Sequence, residues 1–282
     1  SKAIASKPQT PILSGIYFEA EGDQLELHAT DNEIGIISVI PASVEQTGKL
    51  VLSGRYMQDV IRRLPGENVT ISQEIGENTT KIKSGASNFT FLSMPANEFP
   101  TVKRLEEGIH FRIQDNVLRD IVKKTVFACS TDEARPVFTG CQLEINGETL
   151  TMAATNTHRL SVKKEVVADL SGDLRIIIPS KLLNELLRAL NSDMPTEIDV
   201  RCSSNQASFH FDNVVLMSRL IEGQFPNYES VIPKSFDTTI TLDTEAFLDA
   251  VDRVSLISRA ADYNIIRLDF ANGNVHISSN SP

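Results

Sequence analysis

The segment Thr155–Arg159 carries the side chains in this sequence that are best suited to chemistry: two threonine hydroxyls, an amide, an imidazole and a guanidinium. A histidine beside a hydroxyl can act as the base for a nucleophile. The sequence contains neither the G-x-S-x-G nor the H-E-x-x-H pattern that places such groups in hydrolases. In an internal repeat described below, Glu33 stands where His158 stands here. We therefore expect no catalytic residue and a structural or binding role for His158.

Metal and nucleotide chemistry have no motif to support them. The three cysteines, Cys129, Cys141 and Cys202, are odd in number and include no C-x-x-C pair, which favours buried thiols in a reducing compartment over a disulfide framework or a zinc site. Neither the D-x-[DN]-x-[DN]-G calcium loop nor the G-x-x-x-x-G-K-[ST] phosphate loop occurs. We expect no metal and no cofactor.

Basic side chains gather on single faces of predicted helices. These residues are Arg55, Arg62 and Arg63 on helix 54–64, Arg119, Lys123 and Lys124 on helix 116–128, and Lys181 and Arg188 on helix 181–190. Such faces could meet phosphates without any contact to bases, although charged residues also simply fill solvated helix faces. The formal net charge of −10 argues against a direct electrostatic grip on nucleic acid. A later helix breaks the pattern, with Asp249 and Asp252 beside Arg253.

The elements that must position these side chains follow from hydrophobic periodicity. In the middle of the chain, apolar residues recur at helical spacing over Asn116–Ala128, with Asp115 as the expected cap, and over Lys181–Leu190. Alternation predicts strands at 111–113, 142–145, 149–155, 160–167, 174–178, 197–201, 207–211 and 214–220. Asn146 and Gly147 predict a tight hairpin. The order is strand, helix and three strands, twice over, which predicts an α+β fold with two helices packed on antiparallel sheets.

The chain repeats itself. A shift of 125 residues, from Pro11 to Pro136, aligns 11–31 with 136–156 without a gap, and a third copy follows. We expect three tandem domains at 1–105, 106–234 and 235–282, of which the first and the last are incomplete. The length of 282 residues suits two or three domains. We expect neither a signal peptide nor a membrane span.

Several segments resemble one known family. Thr155–Val162, Arg135–Gly140, Leu220–Tyr228 and the ending Ile277–Pro282 are similar to bacterial DNA sliding clamps, the beta subunit of DNA polymerase III, above all those of low-GC Gram-positive bacteria. The resemblance runs in order along essentially the whole chain. It agrees with the repeats, which were found independently of it.

The resemblance implies a non-catalytic processivity factor in the cytoplasm. Two head-to-tail copies would close a ring of six domains around duplex DNA, with helices inside and sheets outside. Binding is then topological, so an acidic exterior is compatible with DNA. The ring would bind the polymerase III alpha subunit, the clamp loader and repair proteins through short peptide motifs.

The resemblance also assigns positions. The partner-peptide groove, between domains two and three, would be lined by Arg135, Phe138, Thr155, Thr157, His158, Arg159, Leu160 and Val231. Lys7 and Lys181 match positions that face DNA inside the ring. Phe89 and Phe91, on an edge strand of the first domain, would meet Leu256 and Ile257 of the third domain of a second copy, which would also cover that edge.

Two other functions remain open at this point. One is a β-rich adhesin or scaffold that never meets DNA, which predicts neither a ring nor a basic interior. The other is an enzyme with a deep polar pocket at His158. The clamp hypothesis predicts instead a shallow apolar groove, with Phe138, Leu160 and Val231 as anchors and Arg135 at its rim. Phe89 and Phe91, taken without the resemblance, would be assigned to the core.

Overall fold

The computed structural model describes residues 4, 10–74, 76–167, 170, 172–190, 195–258, 265–271 and 273–279. The chain forms two compact units, Ser1–Pro226 and Asn227–Pro282, and each is described by itself. Lys7, one of the expected DNA-facing residues, lies outside the described residues.

The first unit contains two copies of one α+β motif. The elements of the first copy are β1 (Gly15–Glu21), β2 (Gln24–Thr30), β3 (Ile34–Pro41), β4 (Gly48–Ser53), α1 (Gly54–Ile61), β5 (Thr70–Gln73), β6 (Thr79–Ser84) and β7 (Ser87–Leu92). Those of the second copy are β8 (Ile109–Gln114), α2 (Asp115–Lys123), β9 (Gly140–Asn146), β10 (Thr149–Thr155), β11 (Leu160–Val166), β12 (Asp173–Pro179), α3 (Ser180–Ala189), β13 (Glu197–Cys202), β14 (Gln206–Phe211) and β15 (Val214–Arg219). The predicted α+β class, with helices on antiparallel sheets, is confirmed.

One sheet runs through both copies. It has eight strands in the order β4-β1-β2-β3-β15-β14-β13-β8, and its centre is an antiparallel pair of β3 with β15, from Val214 opposite Ser38 to Ser218 opposite Ile34. Two smaller sheets have the orders β11-β10-β9-β12 and β5-β6-β7. The hairpin predicted at Asn146 and Gly147 joins β9 to β10, where Gly147 has φ +57°, a value that glycine adopts without strain.

The large core lies in the second copy. Helices α2 and α3 bury Leu118, Ile121, Leu182 and Leu186, each at most 2% exposed, against the inward face of the sheets. The first copy has two smaller clusters, one of them around Phe18, Leu52, Met57 and Ile82. The apolar spacing predicted for these helices is therefore the spacing that packs.

Helix α2 is shorter than predicted. It ends at Lys123, and a separate 3-10 turn covers Val126–Ala128. The hydroxyl of Thr125 donates to the carbonyl of Ile121 at 2.8 Å, a side-chain bond that competes with continuation of the helix. Asp115 is the first helical residue and not the cap as predicted, because its buried carboxylate binds Arg119 and accepts a hydrogen bond from the backbone N–H of Thr196 at 3.3 Å.

The second unit contains α4 (Thr244–Ser258) and a hairpin of β16 (Arg267–Ala271) with β17 (Asn274–Ser278). Asp243 caps α4, since its carboxylate accepts from the backbone N–H of Ala246 at 2.8 Å. Within the part of the chain that the structure describes, no helix has the length and apolar character needed to cross a membrane.

Candidate functional site

The connection from β10 to β11 is a turn fixed by its own side chains. The hydroxyl of Thr155 donates to the carbonyl of Arg159 at 2.8 Å and accepts from the N–H of Thr157 at 3.1 Å. The carboxamide oxygen of Asn156 accepts from the N–H groups of His158 at 3.1 Å and Arg159 at 3.0 Å. Such local bonds give the backbone an alternative to the sheet ladder. They fix the backbone of the turn, on which the side chains of Thr157, His158 and Arg159 are exposed.

Thr157 is held in an unfavourable conformation. Its φ of +77° lies in the left-handed region, which β-branched residues rarely adopt. Strain of this kind persists only where the surroundings determine the backbone, and it concentrates at functional sites. Here the hydrogen bonds of the Thr155 and Asn156 side chains hold the backbone in this conformation.

The first copy contains the same turn between β2 and β3. Thr30 donates to the carbonyl of Ile34 at 2.8 Å, Asp31 accepts from the N–H groups of Glu33 at 3.0 Å and Ile34 at 2.8 Å, and Asn32 has φ +74°. This copy of the turn faces a cation of the other copy. Its two carboxylates, Asp31 and Glu33, bind the ammonium group of Lys181, the latter at 3.3 Å. The turn in the second copy has an amide and an imidazole at those positions, of which Asn156 is half-buried and His158 exposed.

A loop near this turn contains Arg135 and Phe138. The guanidinium carbon of Arg135 lies 5.4 Å from the ring centre of Phe138, a cation–π contact. The N–H of Ser130 donates to the carbonyl of Phe138 at 2.8 Å and closes the loop. Arg135 is exposed and pairs with Asp132 of the same loop at 3.5 Å, and Phe138 is half-buried, so the loop presents a cation beside an aromatic ring. Arg159, from the turn, acts electrostatically on Cys129, the residue that precedes Ser130.

Of the other predicted groove residues, Leu160 begins β11 and is half-buried. Val231 belongs to the second unit, where it ends a 3-10 turn and is 69% exposed. Both have the apolar, accessible character expected of anchors.

The catalytic alternative gains nothing from the geometry. The ring of His158 is exposed and makes no hydrogen bond to any residue that the structure describes. No group of three or more His, Cys, Asp or Glu side chains among the described residues is arranged to hold a metal ion.

The basic side chains divide into two sets. Arg55, Arg62, Arg63 and Lys123 are exposed and have no ion pair with any described residue. The others have acidic partners: Arg119 with Asp115, Lys124 with Asp120 at 2.8 Å, Arg188 with Glu185, and Lys181 with Asp31 and Glu33. Burial opposes protonation of Lys181, but the hydrogen bonds and charges of Asp31 and Glu33 raise its pKa on balance. Helix α1 ends at Ile61, so Arg62 and Arg63 follow it and do not lie on the predicted helix 54–64. The exposed set is the part of these basic residues that is free to meet an anion.

The predicted interface residues lie on accessible elements. Strand β7 is a terminal strand of its described sheet, and on it Phe89 is 39% exposed while Phe91 packs partly against the Phe18 cluster. In the second unit, Leu256 and Ile257 on α4 are 67% and 50% exposed.

Sequence reasoning missed one pair. Cys129 and Cys141 were predicted only as buried hydrophobic residues, and both are buried. Their sulfur atoms lie 3.5 Å apart. The signal available in the sequence was positional, since the two residues flank the single loop between a helix and the next strand.

Tandem copies of an α+β motif are joined edge to edge through a continuous antiparallel sheet, and comparison with known proteins assigns this arrangement to the class of DNA sliding clamps. Models of the DNA polymerase III beta subunit match residues 1–103 (N-terminal domain), 112–227 (central domain) and 229–282 (C-terminal domain). The beta sliding clamp of Staphylococcus aureus is 35% identical over 289 aligned positions, covering 100% of this chain and 76% of that protein.

Solved structures give the same result. The DNA polymerase sliding clamp of Bacillus subtilis superimposes with a TM-score of 0.93 at 33% identity, over 100% of this chain and 76% of that one. A sliding clamp of Pseudomonas aeruginosa gives 0.89 at 29% identity, over 99% and 76%. The chain therefore belongs to the bacterial DNA polymerase III beta-subunit family, the beta sliding clamps. It is a non-catalytic processivity factor that acts in DNA replication.

Proposed function

We propose that Arg135, Phe138, Thr155, Thr157, His158, Arg159, Leu160 and Val231 form the groove through which this clamp binds short peptides of the polymerase III alpha subunit, the clamp loader and repair proteins. The observation that carries the proposal is the self-bonded turn Thr155–Arg159, whose last three side chains are held exposed. A preorganised surface loses little entropy when a peptide binds.

The chemistry of these residues fits a mixed apolar and acidic peptide. Phe138 and Leu160 offer partly exposed apolar surface. The exposed Arg135 guanidinium lies over Phe138 and pairs with Asp132 at 3.5 Å, so a peptide carboxylate would replace or join Asp132 there. An aromatic anchor with an arginine beside it is a common composition for the residues that dominate binding energy.

Griselimycin provides a probe, because it is bound to the sliding clamp of Pseudomonas aeruginosa in a solved structure. We expect Phe138→Ala to raise the dissociation constant for griselimycin about tenfold or more, the effect of losing an aromatic anchor. The matched control is Phe127→Ala, which removes a ring that is 59% exposed on a 3-10 turn of the same copy, outside the proposed groove. Isothermal titration calorimetry of both variants, after thermal unfolding has shown that each is folded, makes the comparison.

Equal affinity of the two variants would contradict the assignment of Phe138. If the wild type binds tightly and only Phe127→Ala loses affinity, the groove would contain Phe127 and not Phe138.

We assign the DNA-facing surface to Lys7, Arg55, Arg62, Arg63, Arg119, Lys123, Lys124, Lys181 and Arg188, with the unpaired Arg55, Arg62, Arg63 and Lys123 contributing most. Each lost phosphate contact reduces the salt dependence of DNA binding by roughly one unit of slope. Arg62→Gln with Arg63→Gln should lower that slope, whereas Arg112→Gln with Arg175→Gln, on strands β8 and β12, should not. Equal slopes for the two double variants would refute the assignment.

We further propose that Phe89 and Phe91 of one copy meet Leu256 and Ile257 of another in a ring-shaped homodimer. Replacing Leu256 and Ile257 by Asp should halve the solution mass measured by light scattering, and a wild-type mass of one chain at every concentration would contradict the ring.

The domains proposed are 1–105, 106–234 and 235–282, testable by limited proteolysis. A protein that acts on bacterial DNA is expected in the cytoplasm, which cell fractionation would check.

A further inference from the structure

Two thiols meet beneath the loop that contains Arg135 and Phe138. Cys129 follows the 3-10 turn Val126–Ala128, and Cys141 is the second residue of β9. Their sulfur atoms are 3.5 Å apart, which is van der Waals contact and longer than a disulfide bond of about 2.05 Å. The sulfurs have to approach by about 1.5 Å before a disulfide bond can form.

The surroundings make the two thiols unequal. Cys141 is fully buried, whereas Cys129 retains 8% exposure and is the sulfur nearer to solvent. A hydrogen bond from the Cys141 thiol lowers the pKa of Cys129 against the opposing effect of burial, and the charge of Arg159 lowers it further. The same contact, together with burial, raises the pKa of Cys141. Cys129 is therefore suited to attack and Cys141 to resolve.

The third cysteine provides an internal reference. Cys202 lies on β13 and is 1% exposed, and burial raises its pKa to about 12. A thiol in that setting is inert near neutral pH.

We propose that Cys129 and Cys141 form a redox site that hydroperoxides oxidise reversibly to an intramolecular disulfide. The Cys129 thiolate attacks one oxygen of the peroxide, the O–O bond breaks, and Cys129 becomes a sulfenic acid while hydroxide leaves and takes up a proton. The Cys141 sulfur then attacks the sulfenic sulfur, the S–O bond breaks, and a second water departs with the Cys141 proton. Two thiols and hydrogen peroxide thus give one disulfide and two waters, with two electrons passing from sulfur to oxygen.

The bridge would close the loop that presents Arg135 and Phe138. That loop is already held by the bond from Ser130 to the Phe138 carbonyl at 2.8 Å, and a covalent closure beneath it restricts it further. Any effect on partner peptides rests on the proposed function, whereas formation of the disulfide does not.

The test uses the full chain and hydrogen peroxide. We expect titratable thiols in denaturant to fall from three to one, the intact mass to fall by two hydrogen atoms, and a non-reducing peptide map to show Cys129 joined to Cys141. Dithiothreitol should restore all three thiols. Cys202→Ser should behave like wild type apart from its missing thiol, and Cys141→Ser should lose the mass decrease. Amides in the 130–139 loop should exchange with deuterium more slowly in the oxidised protein.

Several results would overturn the proposal. These are an unchanged thiol count, a bridge between two chains, a bridge that includes Cys202, or stable addition of oxygen to Cys129 without cross-linking. The peptide map of wild type decides this even where a cysteine variant does not fold. Griselimycin binding is measured separately, so weak binding by both redox forms would count against the groove and leave the disulfide result intact.

Discussion

The two copies of the clamp motif in the first unit contain the same hydrogen-bonded turn but carry different side chains on it. Both contain a Thr-initiated turn with a residue at positive φ, Asn32 in one and Thr157 in the other. In the first copy the turn carries carboxylates that bind Lys181, so it ties the two copies together. In the second copy Asn156 is half-buried and His158 is exposed, and neither side chain has an ion pair with a described residue. Hydrogen bonds that fix the backbone are thus kept, while the outward side chains diverge in role.

The copies differ also in their cores. Leu25 and Leu150 occupy equivalent positions in β2 and β10, one residue from a hairpin loop. Leu150 is fully buried in the large cluster, whereas Leu25 is half-buried against a small one. The difference follows from helices α2 and α3, which together cover the second copy.

The largest effect is expected from shortening this leucine in the second copy. Leu150→Ala should lower the free energy of unfolding by about 2–5 kcal/mol, because it leaves a cavity among atoms that cannot close it. Leu25→Ala should cost only about 1 kcal/mol. Urea unfolding followed by circular dichroism measures both. Equal losses would show that the first copy is as tightly packed as the second, and the comparison would fail.

Local pattern was enough to predict most elements of the second copy. The strands at 160–167 and 197–201, the helix at 181–190 and the hairpin at Gly147 follow from periodicity and turn chemistry, which act over a few residues. The early end of α2 was missed because the side-chain bond from Thr125 to the Ile121 carbonyl competes with continuation of the helix, and apolar spacing does not decide between the two. The pairing of β3 with β15 was missed because nothing in either strand specifies a partner so distant in sequence.

The site divides in the same way. Its residues were assigned through the resemblance and not from periodicity, and the turn geometry that presents Thr157 and His158 became apparent only with the hydrogen bonds of Thr155 and Asn156. Lys181 was expected to face DNA, yet it binds two carboxylates of the other copy, a contact that helix periodicity does not encode. Tertiary contacts between charged residues depend on the packing of whole elements, which a single sequence does not specify.

A reciprocal exchange at the two positive-φ positions sharpens the comparison. Thr157→Asn should raise the free energy of unfolding by about 0.5–1 kcal/mol, because asparagine tolerates the left-handed region in which a β-branched residue is strained. Asn32→Thr should lower it by a similar amount. Both are measured by urea unfolding against wild type.

Thr157→Ala serves as the control, since it removes the hydroxyl and the branch while keeping a Cβ in the left-handed conformation. A stabilisation by Ala as large as that by Asn would assign the effect to the branch and not to asparagine's tolerance of positive φ. No gain in Thr157→Asn would mean that the turn of the second copy has no strain to release.

The smallest effect concerns an ion pair present in both copies. Glu19 and Lys49 join β1 to β4 at 2.7 Å, and Glu144 and Arg175 join β9 to β12 at 2.7 Å. The hydrogen bond from Lys49 lowers the pKa of Glu19, burial opposes it, and the hydroxyl of Tyr17 lowers it further.

A carboxyl group with a lowered pKa stabilises the fold above its unfolded pKa of about 4.3, and this contribution disappears as the pH falls through the folded value. Glu19→Gln should therefore cost a few tenths of a kcal/mol at pH 7, the usual size for a partly exposed pair, and the difference from wild type should shrink below about pH 4. Urea unfolding at several pH values, in a double-mutant cycle with Lys49→Met, isolates the pair. A coupling that did not weaken at all as the pH fell from 7 to 2 would contradict the ionic origin. The same cycle at pH 7 can be made with Glu144→Gln and Arg175→Met, because the two pairs cross equivalent strands at the same distance. A coupling energy of similar size would show that the repeat preserves the energy of this ion pair as well as its position.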